Sequence, residues 1–299
     1  MYAGEADFLA GTLTFIRGGL DADEPTLVVE SAVKIALLRD GLGRDAGSVY
    51  FADMAEVGLN PARIIPAWND FVTQHAAGGR RLRGIGEPIW KERGPAELVE
   101  CQRHESLLNV AFEGGTPWWL LCPYDTEKLD PTVIEEARRS HPYIWEGSAQ
   151  EQSDAYQAAE MAAAHLSAPL SEPPAQLVEL AFDTRSLAAL RAHASREAGR
   201  AGFGTAQTAD LLLAVNEVAT NSLLHGGGQG RLRMWRDADT LVSEIRDRGH
   251  IEHPLAGRER PTADTGPGRG LWLANQLCDL IEIRSYPAGA VVRLHMRRR

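Results

Sequence analysis

One rhythm of strand-like and helix-like segments runs to about residue 150, and a different one begins near residue 176. In the first part, TLVVE (26–30), VYFADM (49–54), RLRGIGEPIW (81–90) and WWLLCPYD (118–125) read as strands, rich in β-branched and aromatic residues. Between and after them, SAVKIALLRDGL (31–42), PARIIPAWNDFVTQH (61–75), AELVECQRHESLLNVAF (96–112) and TVIEEARRS (132–140) carry apolar residues at helical spacing. Strands that alternate with helices predict an α/β domain with a mostly parallel sheet.

Between residues 151 and 175 that pattern degrades. QSDAYQAAEMAAAHLSAP is Ala-rich and helical in character, and the LSEPP that follows is a cluster of breakers, so 151–175 reads as a partly helical linker between domains 1–150 and 176–299. Beyond it, LVELAFD (177–183) is a strand and SLAALRAHASREAGRAG (186–202) a helix, followed by a second helix that ends at His225. GRLRMWRD and LVSEIRDRG pair across a turn at Ala238-Asp239; LIEIRSY and AVVRLHM pair around Pro287-Ala288-Gly289. Strands in antiparallel pairs predict an α+β two-layer sandwich, not a second parallel sheet.

Net charge is −10, and the first 150 residues carry most of it, with 14 Lys+Arg against 23 Asp+Glu. An acidic first half argues against a nucleic-acid surface, which needs clustered basic residues. No apolar run approaches the roughly 18 residues needed to cross a bilayer, so no membrane contact is expected. Three cysteines (Cys101, Cys122 and Cys278), odd in number and not closely spaced, fit free thiols in a reducing cytoplasm. All three lysines (Lys34, Lys91 and Lys128) lie in the first half. The second half must bind whatever it binds without one.

The helix in AVNEVATNSLLHGGG (214–228) carries the clearest chemistry. At about 100° per residue, Leu211, Leu212, Val215, Val218, Ala219 and Leu223 share a broad arc. Glu217, Asn221 and His225 follow one another at four-residue steps on the opposite side. A carboxylate there can act as a base towards a hydroxyl, and an amide oxygen is a hard ligand suited to Mg²⁺. The plainer reading is a solvated helix face. Two further elements weigh against it. Asp247 ends a strand two residues before Gly249, where a carboxylate can accept from an exocyclic amine while glycine admits a flat ring. GPGRG (266–270) then places glycines directly before a helix, where backbone N–H groups can meet a phosphate chain.

In this order, with these intervening strands, the three elements resemble the N, G1 and G2 boxes of the GHKL (Bergerat) ATPase superfamily over residues 176–299. Within it, NEVATNSLLHG and GRGLWLANQLCD look most like the anti-sigma-factor serine kinases of the RsbW type. Sensor histidine kinases usually have lysine where His225 stands. The resemblance implies ATP and Mg²⁺ as cofactors, with Glu217 as general base, Asn221 as Mg²⁺ ligand and Asp247 with Gly249 at the adenine. It places Gly266, Gly268, Arg269 and Gly270 around the phosphates and His225 at the edge of the nucleotide site. One departure stands out: the family's Asp-x-Gly-x-Gly reads DRGHI here, with Ile251 at the second glycine.

In the first half, ADMAEVGLNPARIIPAWNDF, GIGEPIW, ELVECQRHESLLNVAF and LLCPYD look like the MEDS sensory domain of methanogens and methylotrophs. That resemblance implies a RecA-like fold, but TLVVESAVKIAL holds no glycine-rich Walker A loop, so no nucleotide hydrolysis is expected there. The residues singled out for a small-molecule sensory pocket are Glu87, Cys101, His104 and Cys122. Cys101 and His104, three apart on a helix, can join Cys122 as metal or redox ligands, or can simply belong to a buried packing helix.

Three readings follow. The leading one is a switch in which the sensory domain regulates an ATP-dependent serine/threonine kinase that binds a sigma factor or phosphorylates a STAS-type antagonist, with a homodimer as one form of assembly. The second is a sensor histidine kinase with His104-Glu105 as phosphoacceptor motif; the third, a non-catalytic ATP-binding anti-sigma module.

Overall fold

The computed structural model describes residues 1–115, 117–146, 149–261 and 269–299. Two compact units divide the chain, Met1–Ala162 and Ala163–Arg299. Their elements follow the two rhythms of the sequence.

The first unit holds α1 (Gly4–Asp21), β1 (Thr26–Glu30), α2 (Ala32–Leu42), β2 (Tyr50–Asp53), α3 (Met54–Val57), α4 (Ile64–His75), β3 (Leu82–Gly86), α5 (Pro95–Ala111), β4 (Trp118–Leu121), α6 (Pro131–Ser140), β5 (Tyr143–Glu146) and β6 (Ala149–Gln152). Strands β1 to β4 pair parallel in the order β2-β1-β3-β4. One row, Phe51–Val28–Ile85–Leu121, crosses this sheet and packs against Phe15 and Ile16 of α1 and Leu38 of α2. On the other face Gly84 and Gly86 leave room for Trp68 of α4: a Cβ on Gly86 would lie 2.9 Å from the indole. Glycine at alternate strand positions here admits a large ring.

Strands β3 and β4 end at Gly86 and Leu121, shorter than RLRGIGEPIW and WWLLCPYD suggest. Pro88 and Pro123 follow two residues later, and proline has no N–H for a ladder. Helix α1 and the β5–β6 hairpin lie outside the alternation that starts at Thr26. The signal for α1 is present all the same, since its buried residues Phe8, Thr12, Phe15, Ile16 and Gly19 recur at helical spacing.

Helix α7 (Ala158–Ser167) spans the division. The second unit continues with β7 (Val178–Asp183), α8 (Leu187–Arg200), α9 (Thr205–His225), β8 (Gln229–Asp237), β9 (Thr240–Arg246), α10 (Arg269–Leu277), β10 (Leu280–Tyr286) and β11 (Gly289–Arg297). Its five strands form an antiparallel sheet in the order β10-β11-β9-β8-β7. The apolar row Ile283–Val292–Ile245–Leu232–Leu180 crosses all five and meets Leu190 of α8, Val215 and Val218 of α9 and Ala274 of α10. This is a two-layer sandwich of helices on one sheet face.

The opposite sheet face carries a charge ladder. Glu282, Arg293, Glu244, Arg233 and Glu179 pair in turn across the five strands, alternating in sign. Glu244 and Arg293 are buried, and Arg293 Nε donates to Glu244 at 2.6 Å. The segment after α7 lies over this face, where Ser171 meets the Arg293 guanidinium and the Ala168 carbonyl accepts from Arg284 and Tyr286.

Candidate functional site

Helix α9 packs Leu211, Ala214, Val215, Val218 and Ala219 into the core and leaves Glu217 and Asn221 half-buried on its other side. The start of α10 backs onto that pair. A Cβ built on Gly270 would lie 3.0 Å from Glu217 Oε2 and 3.1 Å from Asn221 Nδ2. With no side chain at Gly270, the helix start approaches both groups without displacing them. A carboxylate, a carboxamide and a helix N-terminus therefore share one space, with Arg269 exposed beside it. Gly266 and Gly268 lie outside the described residues.

Asp247 follows β9 and lies against the last turn of α9. Its Oδ2 accepts from Ser222 Oγ at 2.5 Å and its Oδ1 from the Gly249 N–H at 2.7 Å. Each oxygen keeps a further lone pair for an amine donor. Gly226 and Gly249 are both pressed against this aspartate: a Cβ on Gly226 would meet the carboxyl carbon at 2.4 Å, and one on Gly249 would meet Oδ1 at 2.9 Å. The first glycine of LLHGGG thus gives Asp247 room, which its sequence position alone does not announce. His225 is exposed at the helix end.

Ile251, at the place of the expected second glycine, packs its side chain against the core. Its N–H donates to Ser285 Oγ at 2.9 Å, and Ser285 Oγ also meets His250 Nδ1 at 2.8 Å. This ties the chain beyond Gly249 to β10.

In the first unit, α5 is buried on every side from Glu100 to Leu108 apart from Gln102, although the run includes Glu100, Arg103, His104 and Glu105. So many polar groups in a buried helix call for partners. Glu100 and Arg103 pair at 3.5 Å. Cys101 Sγ donates to the Pro88 carbonyl at 3.3 Å, and burial pushes its thiol up to about 12, against a smaller opposing pull from Arg93. Glu87 belongs to another group altogether, accepting from Tyr2 Oη at 2.8 Å and pairing with Lys34.

Cys122, just after β4, joins different partners from those its sequence suggested. Ligand atoms of Glu105, Cys122 and His141 all lie within 4.8 Å of one another. Together they line a cavity of about 810 Å³, walled also by Phe112, Trp118 and Trp145. Cys101, His104 and Glu87 are not among its lining residues. Burial acts to raise the Glu105 carboxyl, but His141, His104 and the Cys122 thiol together hold it below its ordinary value. Burial acts to lower His141, and Glu105 more than reverses this, leaving the imidazole raised. The Cys122 thiol is raised well above normal by burial and then by Glu105.

Residues 1–142 match the model of the methanogen/methylotroph, DcmR sensory (MEDS) domain, and residues 180–296 match that of the histidine kinase-like ATPase domain. The chain carries a MEDS domain and a histidine kinase-like ATPase domain. Among solved structures, that of the RsbU and RsbW domains of Rv1364c from Mycobacterium tuberculosis is similar at 18% identity, over 42% of this chain and 33% of that one, with a TM-score of 0.32. No curated protein matches.

In the ATPase domain, the C-terminal half of α9 carries both groups, Glu217 and Asn221 against Gly270, and Ser222 against Asp247 with Gly249. Ser222 and Gly226 are the residues that sequence reasoning misses there. Their signal is the i, i+4 spacing of two small residues, 222 and 226, on the side of α9 next to Asp247. In the MEDS domain the missed residues are Glu105 and His141. Glu105 stands in the quoted ECQRHE, but His141 sits beyond α6, so no local spacing links it to α5. Among the described residues no helix is long and apolar enough to cross a membrane.

Proposed function

We propose that the ATPase domain binds ATP with Mg²⁺ and transfers its terminal phosphoryl group to a serine or threonine of a partner protein, under control of the MEDS domain. The observation that carries this reading is the approach of Gly270 to Glu217 and Asn221. It sets a carboxylate and an amide oxygen before the N-terminus of α10, a donor set that fits a metal–phosphate group. When bound, Mg²⁺ offsets the charge of the phosphates. Asn221 would hold the metal through its side-chain oxygen. Glu217 would accept the proton of the attacking hydroxyl, and the first N–H groups of α10 would face the phosphates. Asp247, fixed by Ser222 and Gly249, would accept from the exocyclic amine of adenine.

The partner class rests on the likeness of NEVATNSLLHG and GRGLWLANQLCD to RsbW-type kinases. A phosphoryl group adds about −1.5 to −2 charge, enough to undo docking of a STAS-type antagonist and so redirect a sigma factor. The histidine kinase alternative fares poorly, since His104 is 1% exposed on a helix buried all round. The fixed Ile251 favours one other reading, an ATP-binding partner module without turnover.

Full-length protein with labelled Mg·ATP and a purified STAS-type antagonist tests these readings. Phosphoserine or phosphothreonine on the antagonist is expected from wild type. Glu217→Gln should keep ATP binding and lose transfer, whereas Asn221→Ala should lose the Mg²⁺-dependent part of binding. Transfer that survives in Glu217→Gln removes its role as base. ATP binding without transfer to any antagonist replaces the kinase by the binding module.

A further inference from the structure

We propose that Glu105, Cys122 and His141 form a transition-metal site of the zinc type, open to the cavity of the MEDS domain. The three side chains come from separate places: Glu105 from the middle of α5, Cys122 from the turn after β4 and His141 from the end of α6. Their ligand atoms lie within 4.8 Å of one another. Tetrahedral ligands at about 2.0–2.3 Å from a metal stand about 3.3–3.8 Å apart. Small side-chain adjustments of about 1 Å close that gap.

A second observation points to a cation. Glu105 is 2% exposed, and its carboxylate rests against the other two members of the cluster, His141 and the Cys122 thiol, without a well-aligned hydrogen bond to either. His141 Nε2 stands 3.2 Å from Oε2 but is not aligned as a hydrogen bond. A buried carboxylate that rests only against an imidazole and a thiol is weakly compensated, and a metal held between the three ligands offsets its charge.

The surroundings prepare the imidazole for ligation. His141 Nδ1 is 2.8 Å from the Ala137 carbonyl oxygen, which can only accept, so Nδ1 carries a proton. That leaves Nε2, the atom facing Glu105, as the donor to a metal. Tyr124 meets the ring edge-on at 5.6 Å, and Asn109 donates to the Ser140 carbonyl at 2.9 Å, tying the end of α6 to α5. One thiolate, one imidazole and one carboxylate suit zinc or a similar ion, whereas Mg²⁺ and Ca²⁺ take oxygen ligands. Three protein ligands leave one position free, and the cavity adjoins it. A molecule entering the cavity with a lone pair to donate would complete the coordination.

Cobalt(II) is the probe. Full-length protein stripped with a chelator and titrated with Co²⁺ should bind one ion per chain, with the near-ultraviolet absorption of a cobalt–thiolate bond and the visible bands of a tetrahedral ion. Zn²⁺ should displace it and erase both. Cys122→Ser, nearly isosteric, should lose the thiolate absorption, and His141→Ala should bind Co²⁺ at least about 10–100-fold more weakly. Cys101→Ser should leave the spectrum unchanged. The proposal is overturned if wild type shows no thiolate absorption, if Cys122→Ser retains it, or if Cys101→Ser loses it.

Discussion

Ser222 Oγ donates to Asp247 Oδ2 across 2.5 Å, joining the middle of α9's last two turns to the end of β9. Gly226, one helical turn later, leaves no space for a side chain between them. The carboxylate is thereby fixed before any ligand arrives. A group already oriented loses less freedom on binding.

Removal of that hydroxyl is the first test. Ser222→Ala is expected to lower stability by about 1 kcal/mol, near the low end for a bond to a charged group because Asp247 is half-exposed and water can take the vacated place. ATP affinity should fall as well, since among the described residues the carboxylate then keeps the Gly249 N–H as its hydrogen-bond donor. Urea unfolding gives the first quantity and calorimetry the second. Unchanged ATP affinity would mean that the orientation of Asp247 does not matter for nucleotide.

Two glycines separate crowding of a ligand space from crowding of the fold. An alanine methyl at Gly270 would press on the ends of Glu217 and Asn221, which can swing aside. Gly270→Ala should therefore leave the unfolding midpoint nearly unchanged yet weaken Mg·ATP by about tenfold, or about 1.4 kcal/mol. At Gly289 the φ is +135°, and a Cβ would stand 1.9 Å from the Asp247 carbonyl oxygen. Backbone cannot swing aside, so Gly289→Ala should cost more than about 3 kcal/mol. Thermal unfolding of both variants, with and without nucleotide, distinguishes them.

Which of these relationships the sequence discloses depends on how far apart their residues lie. The α/β and α+β architectures are legible because each strand or helix declares its own period. Glu217 and Asn221 are legible because four residues on a helix place them on one side. The meeting of Cys122 with His141 is not, because it depends on where β4 and α6 end in space. The choice between ligand and packing roles for Cys101 and His104 is not legible for a related reason: α5 is buried on nearly every side from Glu100 to Leu108, so helical spacing cannot say which side meets a cavity. The charge ladder is hidden similarly. Nothing local to β8 to β11 shows that the segment through Ala168 and Ser171 covers their charged face.

That ladder makes stability depend on pH. Burial acts to raise the Glu244 carboxyl, but Arg246 and Arg293 outweigh it, so its folded-state value lies below the ordinary one. A depressed carboxyl adds stability that is fully present above its unfolded value, about 4.3, and is lost as pH falls through the folded value. Stability should therefore decline steadily below roughly pH 4.3. Glu244→Gln should lose about 3 kcal/mol at neutral pH, because Arg293 stays buried with weaker compensation. It should also flatten the acid limb of the stability profile. Urea titrations from neutral to acid pH check both, and an equally steep limb in the variant would assign the acid loss to other carboxylates.

Ile251 poses the last test, because it stands where the resemblance of DRGHI to the G1 box leads to the expectation of glycine. Its side chain packs against the core and its N–H is held by Ser285. Ile251→Gly removes a half-buried aliphatic group and restores backbone freedom beside Asp247 and Gly249. The apo protein should lose about 1–2 kcal/mol, from reduced apolar burial and the added entropy of the unfolded chain. If the isoleucine narrows the approach to Asp247, ATP should bind more tightly to the variant in spite of its lower stability. Thermal unfolding would then show a lower midpoint without nucleotide and a larger rise with it. A variant that is both less stable and weaker for ATP would assign Ile251 a supporting role in the pocket wall, and the departure from glycine would be an adaptation of this site to its nucleotide.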